Sequence, residues 1–514
     1  MRYLLALLPV LVVLGLMIFR RWGAHQAGPA GLAAGVAVAA LGFGLTPDIL
    51  WVSQAKGLLL SVFVLAVMWP ALFLFHWNDQ SGGITAVARL LQRAMPDPGM
   101  CRILLAWSLS GLLEGLAGFG LPIAVVAPML TALGVPPLQA VGAVAVGHSW
   151  AVTFGDMGVI LQTLSSVVGI ESAKLVPWAG LLLGVACLLC GIGAAAFLGE
   201  LRHWPKVAAL SVVIAGSQYA LAAQGLLPLS AFGAGLAGLV VYLVCARLKG
   251  PTAAAKPPGG PASDRRQDRA AWRTIADYAA LTLLMAAVTM IGPMRAWTQG
   301  RVWKASFPEV TSRQQFSTPA GAGQTFRPLA HPGTLMLAVL VGSIACSGRR
   351  GDAGLERRAR AARAARATWR SAAAASVGVL SMVGLSTLTD HCGMSYLLAQ
   401  GLSNLLGGSY PVVSPWVGIL GAFATGSNNN SNVLFGSLQK NVALLLHLNP
   451  NLLVAAQTAG GSLGSMLAPV KIILGCSTVG TLGQEGNVLR KTVPFGLALG
   501  LILGALTWGL ARLT

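Results

Sequence analysis

Charge is what this sequence has least of. Charged residues make up 10% of its 514 positions and only 15 are acidic, where an ordinary soluble protein is about a quarter charged. A soluble domain has nowhere to form, because the longest polar interval, near Arg295–Pro332, is well short of the roughly 50 residues a small domain needs. The cysteines number seven, an odd count, and most lie in or beside apolar runs. Cys187 and Cys190 have no second Cys/His pair at ligand spacing, so no metal or redox framework is expected, and they read as small packing residues. The chain also lacks a phosphate-binding loop, a zinc helix signature and a nucleophile–base–orienter arrangement. Gly115-Leu116-Ala117-Gly118-Phe119-Gly120 has glycines near dinucleotide spacing but sits in no βαβ setting. No cofactor and no enzymatic activity are expected.

Hydrophobic residues, by contrast, make up 55% of the chain, and mean hydropathy is +0.71. Apolar segments of about 17–22 residues recur from end to end, the length that crosses a bilayer core. The reading is an all-α polytopic membrane protein with about 12–14 transmembrane helices. The net charge of +20 falls largely in Arg247–Arg273 and Arg349–Arg370, between spans. That placement marks cytoplasmic loops rather than a nucleic-acid surface. Within the second cluster, Glu356–Arg366 reads as an amphipathic helix lying on anionic lipid headgroups. Lys249–Arg273, with Pro257-Pro258-Gly259-Gly260-Pro261, reads as a flexible linker, and Gly83–Pro98 as an interfacial helix. Arg20 and Arg21 follow the first apolar run, Tyr3–Phe19, instead of preceding it, as an uncleaved span requires. With Arg490 and Lys491 before the last span, both termini are expected in the periplasm.

Residues 1–100 form N-terminal spans and the interfacial helix, and 201–370 connecting spans. The final span occupies 491–514. The segments 101–200 and 371–490 between them differ in kind. Each contains polar or glycine-rich interruptions inside apolar sequence: Gly118–Pro122 and His148–Gly155 in the first, Gly426–Asn432 and Gln457–Ser462 in the second. Polar side chains at membrane depth are tolerated only where they line a cavity or bury against protein. Paired interruptions of this kind mark discontinuous helices around a midplane site, and the shared order of features suggests an inverted repeat.

The few ionisable residues within apolar sequence also fall in these two blocks. Glu114, one turn before the first interruption, suits a proton carrier or an acceptor for freed backbone N–H groups. Asp156 follows Gly155 and suits proton exchange or helix capping. His148 fits a relay or a neutral packing role. Asp390-His391 fits a pH-sensitive couple or an interfacial turn. Lys471 requires an anionic partner, which a bound carboxylate, Asp156 or Asp390 could supply, whereas Lys440 reads as snorkelling to the interface. Gly118, Phe119 and Gly120 let a helix N-terminus approach an anion. Ser427, Asn428, Ser431, Asn432, Gln457 and Thr458 complete the candidate binding set, with Glu114, Asp156 and Asp390 as candidates for proton coupling.

At these positions the sequence resembles the L-lactate permease family. The resemblance rests on Gly118-Phe119-Gly120-x-Pro122-Ile123-Ala124, Phe154-Gly155, Ser431-Asn432-x-Leu434-Phe435-Gly436-x-Leu438-Gln439, Leu453-Val454-Ala455-Ala456, Gly460-Gly461, Pro469 and Gly483-x-Glu485-Gly486. It implies symport of a small 2-hydroxy monocarboxylate, lactate or glycolate, with protons across a bacterial inner membrane, through a fold with broken helices. This chain departs from the family at Asn428-Asn429-Asn430, where members usually carry a carboxylate, at Lys471, where a short polar residue is usual, and at Asp390-His391-Cys392. The alternatives are a carrier for a different small organic anion and a membrane-embedded transferase, which would call for a nucleophile or metal constellation at one surface, whereas this chain concentrates its polarity in interruptions within apolar sequence. The asymmetric, buried ionisable residues do not favour a passive channel.

Overall fold

The computed structural model describes residues 2–20, 22–116, 118, 120–248, 265–349 and 354–514. Phe119 and most of the expected linker, including Lys256, lie outside the described residues. Among the described residues, 11 helices are long and apolar enough to span a membrane, or up to 12 if the pair Asp268–Met290 and Gly292–Gln299, bent by 86°, counts as one. Leu121–Ala132, Pro137–Gly147 and Pro332–Ser347 are apolar but shorter. The all-α polytopic reading holds, with one addition. The loop after Gly292–Gln299 folds as a small β-ribbon, pairing Ser306–Phe307 with Gly321–Ala322 and Val310–Thr311 with Ser317–Thr318.

The ribbon marks one face of the protein. Arg313 N donates to Gly44 O at 2.9 Å, tying the ribbon to the end of helix Ala24–Gly42. The opposite face carries the arginine-rich segments and an ion cluster in which Lys206 donates to Asp97 at 3.1 Å and Arg102 to Glu200 at 3.0 Å. Burial acts to raise the Asp97 carboxyl, but the hydrogen bonds from Lys206 and Met100 N outweigh it and hold the group below its usual range. The Glu356–Arg366 run is not a separate surface helix. It forms the first turns of a continuous helix, Gly354–His391. There the Arg360 guanidinium stacks 3.6 Å from the Trp77 ring centre, so aromatic contact anchors a segment that charge pattern alone assigns to headgroups.

Between the faces, each block builds one hairpin and one interrupted span. In the first, Pro98–Leu104, the π-turn Leu105–Leu109 and Ser110–Leu116 rise from the arginine-rich face, Gly118 and Gly120 lie at the tip, and Leu121–Ala132 returns. Pro137–Gly147 then rises, breaks into a 3₁₀ segment at Ser149–Phe154, and continues as Val159–Val168 to the ribbon face. In the second block, Tyr410–Thr425 descends from the ribbon face, turns at Gly426 and Ser427, and returns as Asn428–Leu445. Pro450–Gly464 descends, breaks at Ser465–Leu467, and continues as Pro469–Thr478. Each returning hairpin helix packs on the far half of the other block's interrupted span: Leu121–Ala132 on Pro469–Thr478, and Asn428–Leu445 on Val159–Val168.

One expected interruption is displaced. Gln457–Ser462 lies inside the unbroken helix Pro450–Gly464, because an α-helix satisfies its own backbone and only the side chains need partners. The break follows at Ser465–Ala468, where Pro469 lacks an N–H and disfavours helix in the residue before it. Small residues let the helices of this block touch backbone to backbone. A Cβ at Gly460 would lie 1.9 Å from Pro415 O, and one at Gly418 2.1 Å from Gln457 O. Gly460→Ala is therefore expected to destabilise the protein by about 1–3 kcal/mol through overpacking, read as a lower thermal midpoint in detergent. Gly216→Ala, with nothing within 4 Å of the added carbon, should leave the midpoint unchanged.

Candidate functional site

The two hairpin tips and two helix breaks converge on one buried polar centre. Glu114 is 1% exposed and lies at the end of the rising helix of the first hairpin. Its Oε1 is 3.8 Å from Nζ of Lys471, which is 7% exposed and projects from the first turn after the second break. Lys471 also donates to Ser465 Oγ within that break. Lys471 thus takes Glu114 as its ion partner, whereas Asp156 and Asp390 were the protein carboxylates expected in that place.

Asp156 does different work. Its carboxylate accepts from the Gly118 N–H, holding the first hairpin tip. Backbone strain sets it there: Asp156, Met157 and Gly158 have φ of 48°, 55° and 75°. Successive left-handed residues are costly for non-glycines and are retained only where the surroundings impose them. A Cβ on Gly118 would lie 2.6 Å from Glu114 Oε1 and 2.8 Å from Asp156 Oδ1, so only glycine lets these two carboxylates approach the tip. Gly120, at φ 84°, starts the returning helix. His148 is fully buried, with Nδ1 2.8 Å from Val144 O and no hydrogen-bond partner for Nε2.

The second tip supplies an uncharged cradle. Ser427 caps its helix by accepting from Asn430 N at 3.4 Å. Asn428 Nδ2 donates to Thr153 Oγ1 and to Thr458 O, each at 3.1 Å, and Asn432 Nδ2 to Thr458 Oγ1 at 2.8 Å. Thr153, in the first break, donates its N–H to Ser462 Oγ at 2.9 Å and its hydroxyl to Thr458 O at 2.9 Å. Behind this layer, Gln457 donates to Ser431 Oγ at 3.1 Å and accepts from Gln439 at 2.9 Å. The Oδ1 atoms of Asn428 and Asn432 and Oε2 of Glu114 are buried without partners. A Cβ at Gly461 would lie 1.9 Å from Asn428 Oδ1, so that glycine gives the amide oxygen its room.

Thirteen of the fourteen candidate residues can thus be placed, and one, Asp390, stands apart from this centre in a separate cavity. Thr153, Ser462, Ser465 and Gln439 belong to the centre or its support and were not among the candidates. The sequence signal for Thr153, Ser462 and Ser465 was their position within or beside the interruptions.

Interrupted helices around a buried, polar midplane centre define a membrane transporter. The L-lactate permease family model matches residues 2–514, and the chain belongs to that family. It is 27% identical to the glycolate permease GlcA of Escherichia coli K12, over 98% of this chain and 94% of that protein. It is 26% identical to the L-lactate permease of Bacillus subtilis strain 168, over 98% and 95%. Among solved structures, the Alcanivorax borkumensis YdaH transporter is similar at a TM-score of 0.46 and 16% identity, covering 86% of this chain and 84% of that one.

Thr153 joins the two blocks, so Thr153→Val, which keeps shape but removes the hydroxyl, leaves Asn428 and Thr458 short of partners. The expected cost is about 1–3 kcal/mol of stability, measured as a lowered thermal midpoint, with Thr153→Ser close to wild type.

Proposed function

We propose that this protein carries a small 2-hydroxy monocarboxylate, of the lactate or glycolate type, into the cell together with a proton. The observation that carries the reading is the chemistry of the unpartnered atoms. The amide nitrogens of Asn428 and Asn432 are occupied, and their oxygens are free. Free acceptors suit a donor, which a substrate hydroxyl provides and a carboxylate does not. The carboxylate has its own partner in Lys471, the cation of this centre.

Glu114 pairs with Lys471. An arriving carboxylate competes for the same ammonium. With Asp156 beside Glu114, an added anion leaves carboxylates outnumbering the one cation in a dry site, which is costly, and a proton taken by Glu114 offsets the added charge. Anion binding and proton uptake are thereby linked. Asp156, committed to the Gly118 N–H, positions the tip, although it remains the second carboxylate available for the proton.

Glu114→Gln should then abolish accumulation driven by an imposed proton gradient in proteoliposomes, while equilibrium exchange of labelled substrate persists. Lys471→Ala should weaken binding itself, and Asn428→Ala should cost about 1–3 kcal/mol of substrate affinity. Should Glu114→Gln still concentrate substrate while Asp156→Asn does not, the coupling role belongs to Asp156.

The arginine-rich face is assigned to the cytoplasm, where anionic lipid attracts it, and the ribbon and both termini to the periplasm. Single cysteines test this in intact cells. Ser317→Cys should react with a membrane-impermeant maleimide and Arg358→Cys only after permeabilisation; the reverse pattern inverts the orientation.

A further inference from the structure

A second cavity, of about 350 Å³, opens beneath the β-ribbon and is lined by Lys56, Asp390, His391, Ser437, Gln324 and Thr325, among others. Its protonation pattern follows from its contacts. His391 Nδ1 lies 2.7 Å from Thr387 O. A carbonyl only accepts, so Nδ1 carries the ring proton. Nε2 is then the acceptor, and Lys56 Nζ donates to it at 3.1 Å. The histidine is neutral, and the ammonium has a neutral partner in place of a carboxylate. Phe307 of the ribbon completes its surroundings, with the ring centre 5.6 Å away.

Lys440 is the second cation. It is half-buried and donates to Val168 O at 2.7 Å, at the end of the first interrupted span. The sequence alone suggested that it reaches out to the interface. A Cβ at Gly169, in the cavity wall, would lie 4.0 Å from Lys440 Nζ. Two ammonium groups thus border a recess that holds one carboxyl group, Asp390, and its low-dielectric walls concentrate the positive field. A monoanion is the ligand that balances it. Ser166, Ser386 and Thr387 donate to backbone carbonyls, so their oxygens are acceptors for a ligand hydroxyl, while Gln324, which spends one amide N–H on Thr325 O, keeps the other for a carboxylate.

The cavity and the central site share two elements. Ser437 and Asn432 are on the same helix, Asn428–Leu445, five residues apart, or about 7.5 Å of rise. Val167 and Gly169 of its wall are at the far end of the segment that Asp156 begins.

We propose that this cavity is a loading site, which takes the monocarboxylate at Lys56 before it passes inward to Lys471. The proposal rests on the carrier reading above and adds a second stop on the same path. It differs from a structural role for Lys56 in predicting a second bound ligand.

The test is equilibrium binding of radiolabelled glycolate and L-lactate to the full chain in nanodiscs, together with uptake kinetics in proteoliposomes. Wild type should bind the better ligand at two sites, and Lys56→Gln at the central site alone. Asn428→Ala should keep the outer site. In uptake, Lys56→Gln should raise KM about tenfold with Vmax retained, and weaken its dependence on ionic strength, as loss of electrostatic capture predicts. Lys56→Arg should restore KM. Lys440→Gln, which leaves Lys56 in place, serves as the second variant if Lys56→Gln does not fold. Single-site binding by wild type overturns the loading site, even if Lys56→Gln alters KM. Transport with no difference between wild type and both glutamine variants overturns it equally. Wild type that neither binds nor transports either acid overturns the carrier reading, and the loading site with it.

Discussion

The structure depends on an ion pair made where water is scarce. Burying Lys471 and Glu114 costs several kcal/mol per charge after relaxation, and removal of one partner strands the other. The fold offsets this cost by bringing together groups from both blocks. Glu114 comes from the hairpin that rises from the arginine-rich face, and Lys471 and Ser465 from the span that descends from the ribbon face. Neither block can neutralise its own charge, so the centre exists only when the two are assembled.

The same division of labour runs through the neutral half of the site. Thr153 is the contribution of the first block to a network otherwise built from Asn428, Asn432, Thr458 and Ser462 of the second. Charge lies mainly on one tip and amides on the other. A ligand with one anionic end and one hydroxyl therefore meets matching chemistry at each end. Behind the amides, Gln457 holds Ser431 of the same helix and is held in turn by Gln439, which donates to Ser414 O. Such support fixes direction as well as affinity.

How much of this could be read from the sequence varies with the kind of signal. Glycines and amides inside apolar runs made the tips at Gly118–Gly120 and Gly426–Ser427 visible, because so few alternatives explain them. The polar run Gln457–Ser462 carried the same signal for the opposite reason. Its helix is intact and its side chains find partners across the interface. Polar residues that break a helix and polar residues that bridge helices have the same composition, so only tertiary contacts separate them. The choice of Glu114 over Asp156 as the partner of Lys471 was equally hidden, since it turns on the left-handed run at Asp156–Gly158. The two-residue strands of the ribbon are too short to leave a periodic pattern.

The π-turn at Leu105–Leu109 sets the angular register of the site. It takes up one residue more than a regular helix would over that stretch. The same residues wound as an unbroken α-helix would turn everything beyond them by about 100°, and the Glu114 carboxylate would no longer face Lys471. The charge pair at the heart of this protein thus depends on the local loosening of a segment that itself bears no charge.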